Sequence, residues 1–161
     1  MSMATNLTSP PPEPSAPLVR GESATDAARR VLDAITYMTL ATADAAGVPW
    51  ACPVWYAPRG YSELFWISYP DARHSRNLAE RPQLSIVIFD STVAPGHGQA
   101  IYMTAEAAQT TDGLEVFSAR SVAQGLGEWK DLSGALRLYR AVVAEHWMLG
   151  EGRDKRVRVT P

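Results

Sequence analysis

Apolar positions change their period along the chain, and each change marks an element. Ala24, Ala27, Ala28, Val31, Ile35 and Met38 recur every three or four residues, which predicts an amphipathic helix over residues 23–36. Ser23 suits the cap, and Asp26 sits three residues on, where a carboxylate favours the positive helix end. From Thr39 the period shortens. Apolar runs at 39–43 (TLATA), 48–57 (VPWACPVWYA) and 63–69 (ELFWISY) are separated by Asp44-Ala45-Ala46-Gly47 and Pro58-Arg59-Gly60. Runs of this length between turn residues read as antiparallel hairpins.

The second half continues the pattern. Pro70 and Asp71 open a short helix over 72–81, which Pro82 ends. Residues 84–89 (LSIVIF) are almost continuously apolar, so this strand is expected to be buried on both faces. A loop with Pro95, Gly96 and Gly98 leads to a strand over 99–107. A helix is predicted from Asp112 to Gln124, where Gly125 and Gly127 break it. Residues 128–138 read as further helix, 139–149 as a long strand, 150–154 as a turn and 156–160 as a last strand. Six to seven short antiparallel strands with flanking helices make a mainly β, α+β chain. Closing such a sheet removes its edges, so a small barrel is expected.

Composition narrows the picture. The 161 residues suit one domain. Prolines at 10, 11, 12, 14 and 17 leave the first 20 residues few backbone donors and little apolar bulk. This predicts a disordered Pro-rich arm ahead of a domain over 21–161. Net charge is −2, too small for a field that favours nucleic acid or anionic membrane. A single cysteine, Cys52, excludes an internal disulfide. No zinc or calcium spacing exists. No apolar run approaches the roughly 20 residues of a membrane helix, and a cytoplasmic setting is expected.

The chemistry gathers at Ser68-Tyr69-Pro70-Asp71-Ala72-Arg73-His74-Ser75-Arg76-Asn77, where a strand leads into a helix. Arg73 and His74 fall in the first helical turn, beside free backbone N–H groups and the positive dipole end. Such a turn suits a phosphate. Ser68 and Ser75 offer hydroxyls, and Arg76 lies one residue further. The plainer alternative is a solvated basic face. Trp50, Trp55, Tyr56 and Trp66 offer flat apolar surface for a planar ring, or for ordinary packing. Pro53 removes a ladder donor, so its strand is interrupted, lies at an edge or faces a ligand. His97 reads as solvated and His146 as structural. No pattern supplies a base for Cys52.

Leu40-Ala41-Thr42-Ala43, Gly47-Val48-Pro49 and Pro53-Val54-Trp55-Tyr56 resemble the opening strands of the pyridoxamine 5'-phosphate oxidase-like flavoproteins. The likeness continues through Leu64-Phe65-Trp66-Ile67-Ser68, His74-Ser75-Arg76-Asn77-Leu78, Pro82, Leu84-Ser85-Ile86, Gln99-Ala100-Ile101-Tyr102 and Ala105-Glu106-Ala107. A weaker match covers Tyr139-Arg140-Ala141 to Trp147 and Arg156-Val157.

The resemblance implies a split β-barrel and a homodimer with flavin at its interface. It places FMN phosphate on Arg73 and His74 with Ser68, and Arg76 is a candidate assistant. It sets the backbone of Pro53, Val54 and Trp55 against the ring, with Gln99 near the flavin. It also implies a flavin-dependent oxidoreductase passing hydride to a small organic acceptor. The alternatives are a reductase using the deazaflavin F420 and a non-catalytic flavin- or haem-binding protein.

There are departures. Cys52 stands where an arginine often holds the phosphate, and His74 stands where lysine is usual. The substrate-phosphate positions hold Ala57, Val116, Arg120 and Gln124, so only the arginine remains. The C-terminal Arg-x-His signature is missing after Lys155-Arg156. These losses argue against vitamin B6 oxidation.

Overall fold

The computed structural model describes residues 22–94, 98–149 and 155–161. The expected Pro-rich arm over 1–20, His97 and the turn over 150–154 lie outside the described residues. Helix α1 (Ala24–Ala34) opens the domain. The Ser23 side chain caps it by accepting from the Asp26 backbone N–H, which satisfies one of the donors that a helix start leaves free. Ala27, Ala28, Val31 and Leu32 are fully buried. They form the apolar stripe that the 3–4 spacing predicts.

The strands are β1 (Tyr37–Ala43), β2 (Pro49–Trp55), β3 (Ala57–Arg59), β4 (Glu63–Ser68), β5 (Gln83–Phe89), β6 (Ala100–Thr110), β7 (Arg137–Leu149) and β8 (Arg156–Val159). Helix α2 (Arg73–Glu80) joins β4 to β5, and α3 (Leu114–Ala123) joins β6 to β7. The sheet runs β2-β1-β5-β6-β7-β4-β3, and β8 pairs with β7. All its pairings are antiparallel. The ends of this path, β2 and β3, are consecutive in the chain with only Tyr56 between them. The sheet has therefore curled until its ends meet, which is the expected mainly β, α+β split barrel.

Alternation makes the core. Met38, Leu40, Leu64, Trp66, Ile86, Ile88, Ile101 and Met103 point inward and pack with the stripe of α1. One register shift between Thr104 and Ala105 interrupts the β6–β7 ladder and lets both halves of long β7 face the core. A smaller cluster under α3 gathers Ala57, Phe65, Phe117 and Leu138 with the half-buried Trp55 and Trp129.

Three expectations need correction. The single strand over 48–57 is two, because the chain turns at Tyr56. Its fully buried hydroxyl donates to the Leu32 carbonyl at 2.7 Å. Residues 128–136 hold no helix. Gly127 and Gly134 sit at φ +91° and +65°, and the Trp129 backbone N–H donates to Ser118 Oγ at 2.8 Å. Strand β5 is buried on one face only, with Phe89 49% exposed, because no element among the described residues covers the other face. Among the described residues no helix is long and apolar enough to cross a membrane.

Candidate functional site

Helix α2 starts without a capping side chain, since its N-cap is Ala72. The free N–H groups and positive dipole end of its first turn are the features that attract anions. Arg73 is the first residue of the helix. Its guanidinium carbon lies 4.6 Å from the centroid of the Trp50 ring, and Trp50 is the one of the four singled-out aromatics that stays exposed, at 40%. Among the described residues Arg73 has no carboxylate within ion-pair distance. Arg76 is exposed and donates to the Asp71 carbonyl, so its guanidinium folds back over the start of the helix.

His74 differs from a surface cation. It is 6% exposed, and its Nε2 lies 2.8 Å from Ser68 Oγ at the end of β4. Burial pulls its pKa below the usual imidazole value, so the ring is neutral at neutral pH. Ser75 is 3% exposed, and its Oγ has no hydrogen-bond partner. An orphaned buried hydroxyl in the first turn fits a site that a ligand completes.

A buried relay holds this turn in place. Asn77 Nδ2 donates to Thr42 Oγ1 at 3.0 Å, and the Thr42 hydroxyl donates to the Trp50 carbonyl at 3.3 Å. Helix α2 is thereby tied through β1 to β2, and Arg73 meets Trp50 as a result. Neither Thr42 nor Asn77 stands out in the sequence as a supporting residue. Both lie inside motifs that do.

The remaining candidates divide. Strand β2 ends the sheet path, so one of its backbone edges has no partner strand among the described residues. Pro53 sits exposed on that strand opposite Thr39, where a missing donor is tolerated. Val54 is buried. The Trp55 side chain turns to α3, where its ring meets Phe117 edge-on at 4.4 Å and its indole N–H donates to Gln124 Oε1 at 2.8 Å. Trp66 is fully buried and stacks on Tyr139 at 5.6 Å. Gln99 is 6% exposed. Its Oε1 accepts from Arg30 Nη2 at 2.8 Å, which ties it to α1, and its Nε2 is buried without a partner. No hydrogen bond among the described residues joins Gln99 to the α2 group.

Arg120, the one survivor of the four substrate-phosphate positions, is engaged elsewhere. Its Nη2 donates to the Asp33 and Ile35 carbonyls at 3.4 and 3.1 Å, and its guanidinium lies over the Tyr56 ring. With Tyr56 it closes the C-terminal end of α1, whose carbonyls otherwise lack partners. His146 Nε2 donates to the Tyr61 carbonyl at 2.9 Å, a structural bond. Burial pushes the Cys52 thiol up, the opposite of an activated nucleophile.

The outer face of the sheet carries one continuous register row. Pro53 pairs with Thr39, Thr39 with Val87, Val87 with Tyr102, Tyr102 with Trp147 and Trp147 with Arg158. Arg156 lies over the Tyr102 ring at 4.3 Å. Ala41, Val87, Tyr102 and Trp147 line a shallow depression of about 330 Å³. Small and aromatic side chains thus form a broad face that the described residues leave uncovered.

Residues 24–146 match the family model described as pyridoxamine 5'-phosphate oxidase. Among curated proteins nothing matches. Among solved structures the chain is similar to a haem-binding protein from Mycobacterium smegmatis, at 25% identity and TM-score 0.65, over 85% of this chain and 58% of that one. It thus spans 58% of the length of the mycobacterial protein. It is also similar to a haem storage protein from Vibrio cholerae, at 21% identity and TM-score 0.60, over 76% of this chain and 92% of that one. A third likeness is to an FAD-binding protein from Mesorhizobium loti, at 20% identity and TM-score 0.57, over 74% and 89%. The last two likenesses speak for the fold alone.

Proposed function

The chain belongs to the pyridoxamine 5'-phosphate oxidase-like split-barrel family, and from that premise we propose that it is a homodimeric FMN-binding oxidoreductase. The observation that carries this reading is the first turn of α2. It has no capping side chain, it begins with Arg73 resting on Trp50, and it holds the unpartnered hydroxyl of Ser75. The residues fit a flavin phosphate: Arg73 supplies the charge, Ser68 a hydroxyl, and the helix start its free N–H groups. Bound there, FMN would supply hydride chemistry with an organic acceptor. The chain's own part is to grip the phosphate, present the free edge of β2 to a planar ring and keep water away.

The outer face, which no described element covers, supports the dimer. A row through Val87, Tyr102 and Trp147 offers the apolar and aromatic surface typical of such contacts. A two-fold contact there would also shelter a ring lying against β2. The substrate-phosphate positions do not support vitamin B6 oxidation, since Arg120 is bonded to the end of α1.

A second reading is haem binding without turnover, favoured by the likeness to the mycobacterial haem-binding protein. Two histidines work against it. His74 Nε2 is engaged with Ser68 and His146 Nε2 with Tyr61, so neither offers that nitrogen to an iron. An absorption spectrum of the freshly purified protein separates the readings. A flavin band that reappears on titrating apoprotein with FMN supports the proposal. A sharp Soret band without flavin overturns it.

A further inference from the structure

Ser68 Oγ and His74 Nε2 lie 2.8 Å apart, and the hydrogen between them has two possible owners. If the Ser68 hydroxyl donates, its hydrogen is spent on the ring. If His74 Nε2–H donates, the hydroxyl hydrogen is free to point elsewhere. The choice matters because of where Ser68 stands. It ends β4, four residues before Ala72, the N-cap that leaves the start of α2 without a capping side chain. An anion over that turn accepts hydrogen bonds and gives none at neutral pH, so it needs a hydroxyl that donates.

The surroundings favour a neutral ring. His74 is 6% exposed, and the strands packed on α2 are β1, β2 and β6. Their ionisable side chains are Tyr37, Cys52, Tyr102 and Glu106, and β4, which meets the ring through Ser68, adds Glu63, itself paired with Arg59 and Arg140. Glu106 is exposed and accepts from Gln83 Nε2. On α2 itself and at its ends stand Asp71, Arg73, Arg76, Glu80 and Arg81. None of these is hydrogen-bonded to the ring. Burial lowers the His74 pKa, and the Nε2 contact with Ser68 ties the ring to a neutral hydroxyl instead of a carboxylate.

We propose that His74 is a positioning residue that donates Nε2–H to Ser68 Oγ and so turns the Ser68 hydroxyl hydrogen toward the phosphate of the bound ligand. The proposal rests on the phosphate reading above and deepens it. Charge comes from Arg73; His74 contributes direction through a second side chain. The histidine acts on affinity for phosphate-bearing flavin alone, and only while Ser68 is present.

The test compares FMN with riboflavin, which lacks the phosphate, by fluorescence titration of the full-length protein. His74→Leu should weaken FMN by about tenfold and leave riboflavin nearly unchanged, the scale of one hydrogen bond to a charged group. Placed on Ser68→Ala, it should add little, since its effect runs through Ser68. His74→Gln, which keeps an N–H near the same place, should recover most of the loss. The ring 15N spectrum of the wild-type protein with FMN gives a reading that needs no variant and should show hydrogen on Nε2. A ring protonated only on Nδ1 overturns the proposal. So does an equal loss for FMN and riboflavin, or a full additional loss in the Ser68→Ala background. A wild-type chain that binds FMN no more tightly than riboflavin overturns the phosphate reading itself, and this proposal with it.

Discussion

Arg73 stands over Trp50, its guanidinium carbon 4.6 Å from the ring centroid. A cation parked on an aromatic face is held weakly, and a phosphate arriving at the α2 turn can draw it away without breaking an ion pair. Arg73→Ala should therefore weaken FMN binding by about ten- to a hundredfold, since a charge-assisted hydrogen bond is worth roughly 1.5–3 kcal/mol. Riboflavin affinity and the melting temperature should hardly move, because Arg73 is only half-buried. Equal losses for both flavins would place the arginine outside the phosphate site.

A charge on the outer face should split the proposed dimer. Val87 sits in the middle of the row between Thr39 and Tyr102. Val87→Arg would bury an unpaired cation at any contact made there. Light scattering should give twice the chain mass for the wild type and the single mass for the variant. A variant that keeps the wild-type mass would move the contact to another surface.

The two described histidines set a pH limit on stability. Burial lowers the pKa of both His74 and His146. In the unfolded chain each titrates near the ordinary value of about 6.5. Between that value and the lower folded one, the unfolded state binds more protons, so stability falls as pH falls. Above about 6.5 both forms are neutral and the effect vanishes. Denaturation midpoints should decline from pH 7 toward pH 5, and the decline should be shallower in His146→Gln. An unchanged slope in that variant would show that other groups govern the acid side.

Gly113 tests the packing under α3. It caps the helix at φ +99°, and a Cβ there would lie 2.1 Å from Phe65 Cε1. Phe65 is fully buried in the second core cluster, so it has little room to yield. Gly113→Ala should cost roughly 2–5 kcal/mol from strained backbone and overpacking combined. Urea midpoints would measure it, and a loss below about 1 kcal/mol would mean that the loop relaxes freely.

Much of the fold is visible in the local pattern. The spacing from Ala24 to Val31 marks α1, and the turn at Asp44–Gly47 marks the first hairpin, because both depend on near neighbours. What the pattern hides is long-range. Nothing within 48–57 shows that Tyr56 must leave the ladder to bond Leu32, far back in the chain. The run LSIVIF reads as doubly buried because hydrophobicity records a need for cover without saying whose. Residues 128–136 pass for helix until Ser118 and Ser121 are seen holding Trp129 by its backbone and its indole N–H.

The candidate site divides in the same way. Arg73 at the start of a helix is legible from Pro70, Asp71 and the basic residues that follow. The burial of His74 depends on how β4 enters α2, so the sequence shows a basic residue in an exposed turn where the fold has a buried ring bonded to Ser68. Arg120 passes for a ligand residue until its side chain is seen reaching the carbonyls at the end of α1.

The closure of the barrel has a mechanical side. Every other pair of neighbouring strands is held by a ladder, but β2 and β3 are joined by one residue, Tyr56. A ladder fixes both the distance and the angle between strands, whereas a single residue fixes the distance and leaves the angle to be set by its tether. Here that tether is a phenol bonded to the last turn of α1. The wall that carries Pro53 and Trp50 is fastened by a full ladder along its β1 side and by a single bolt on the other, so the seam there closes on one phenol and the helix end it grips.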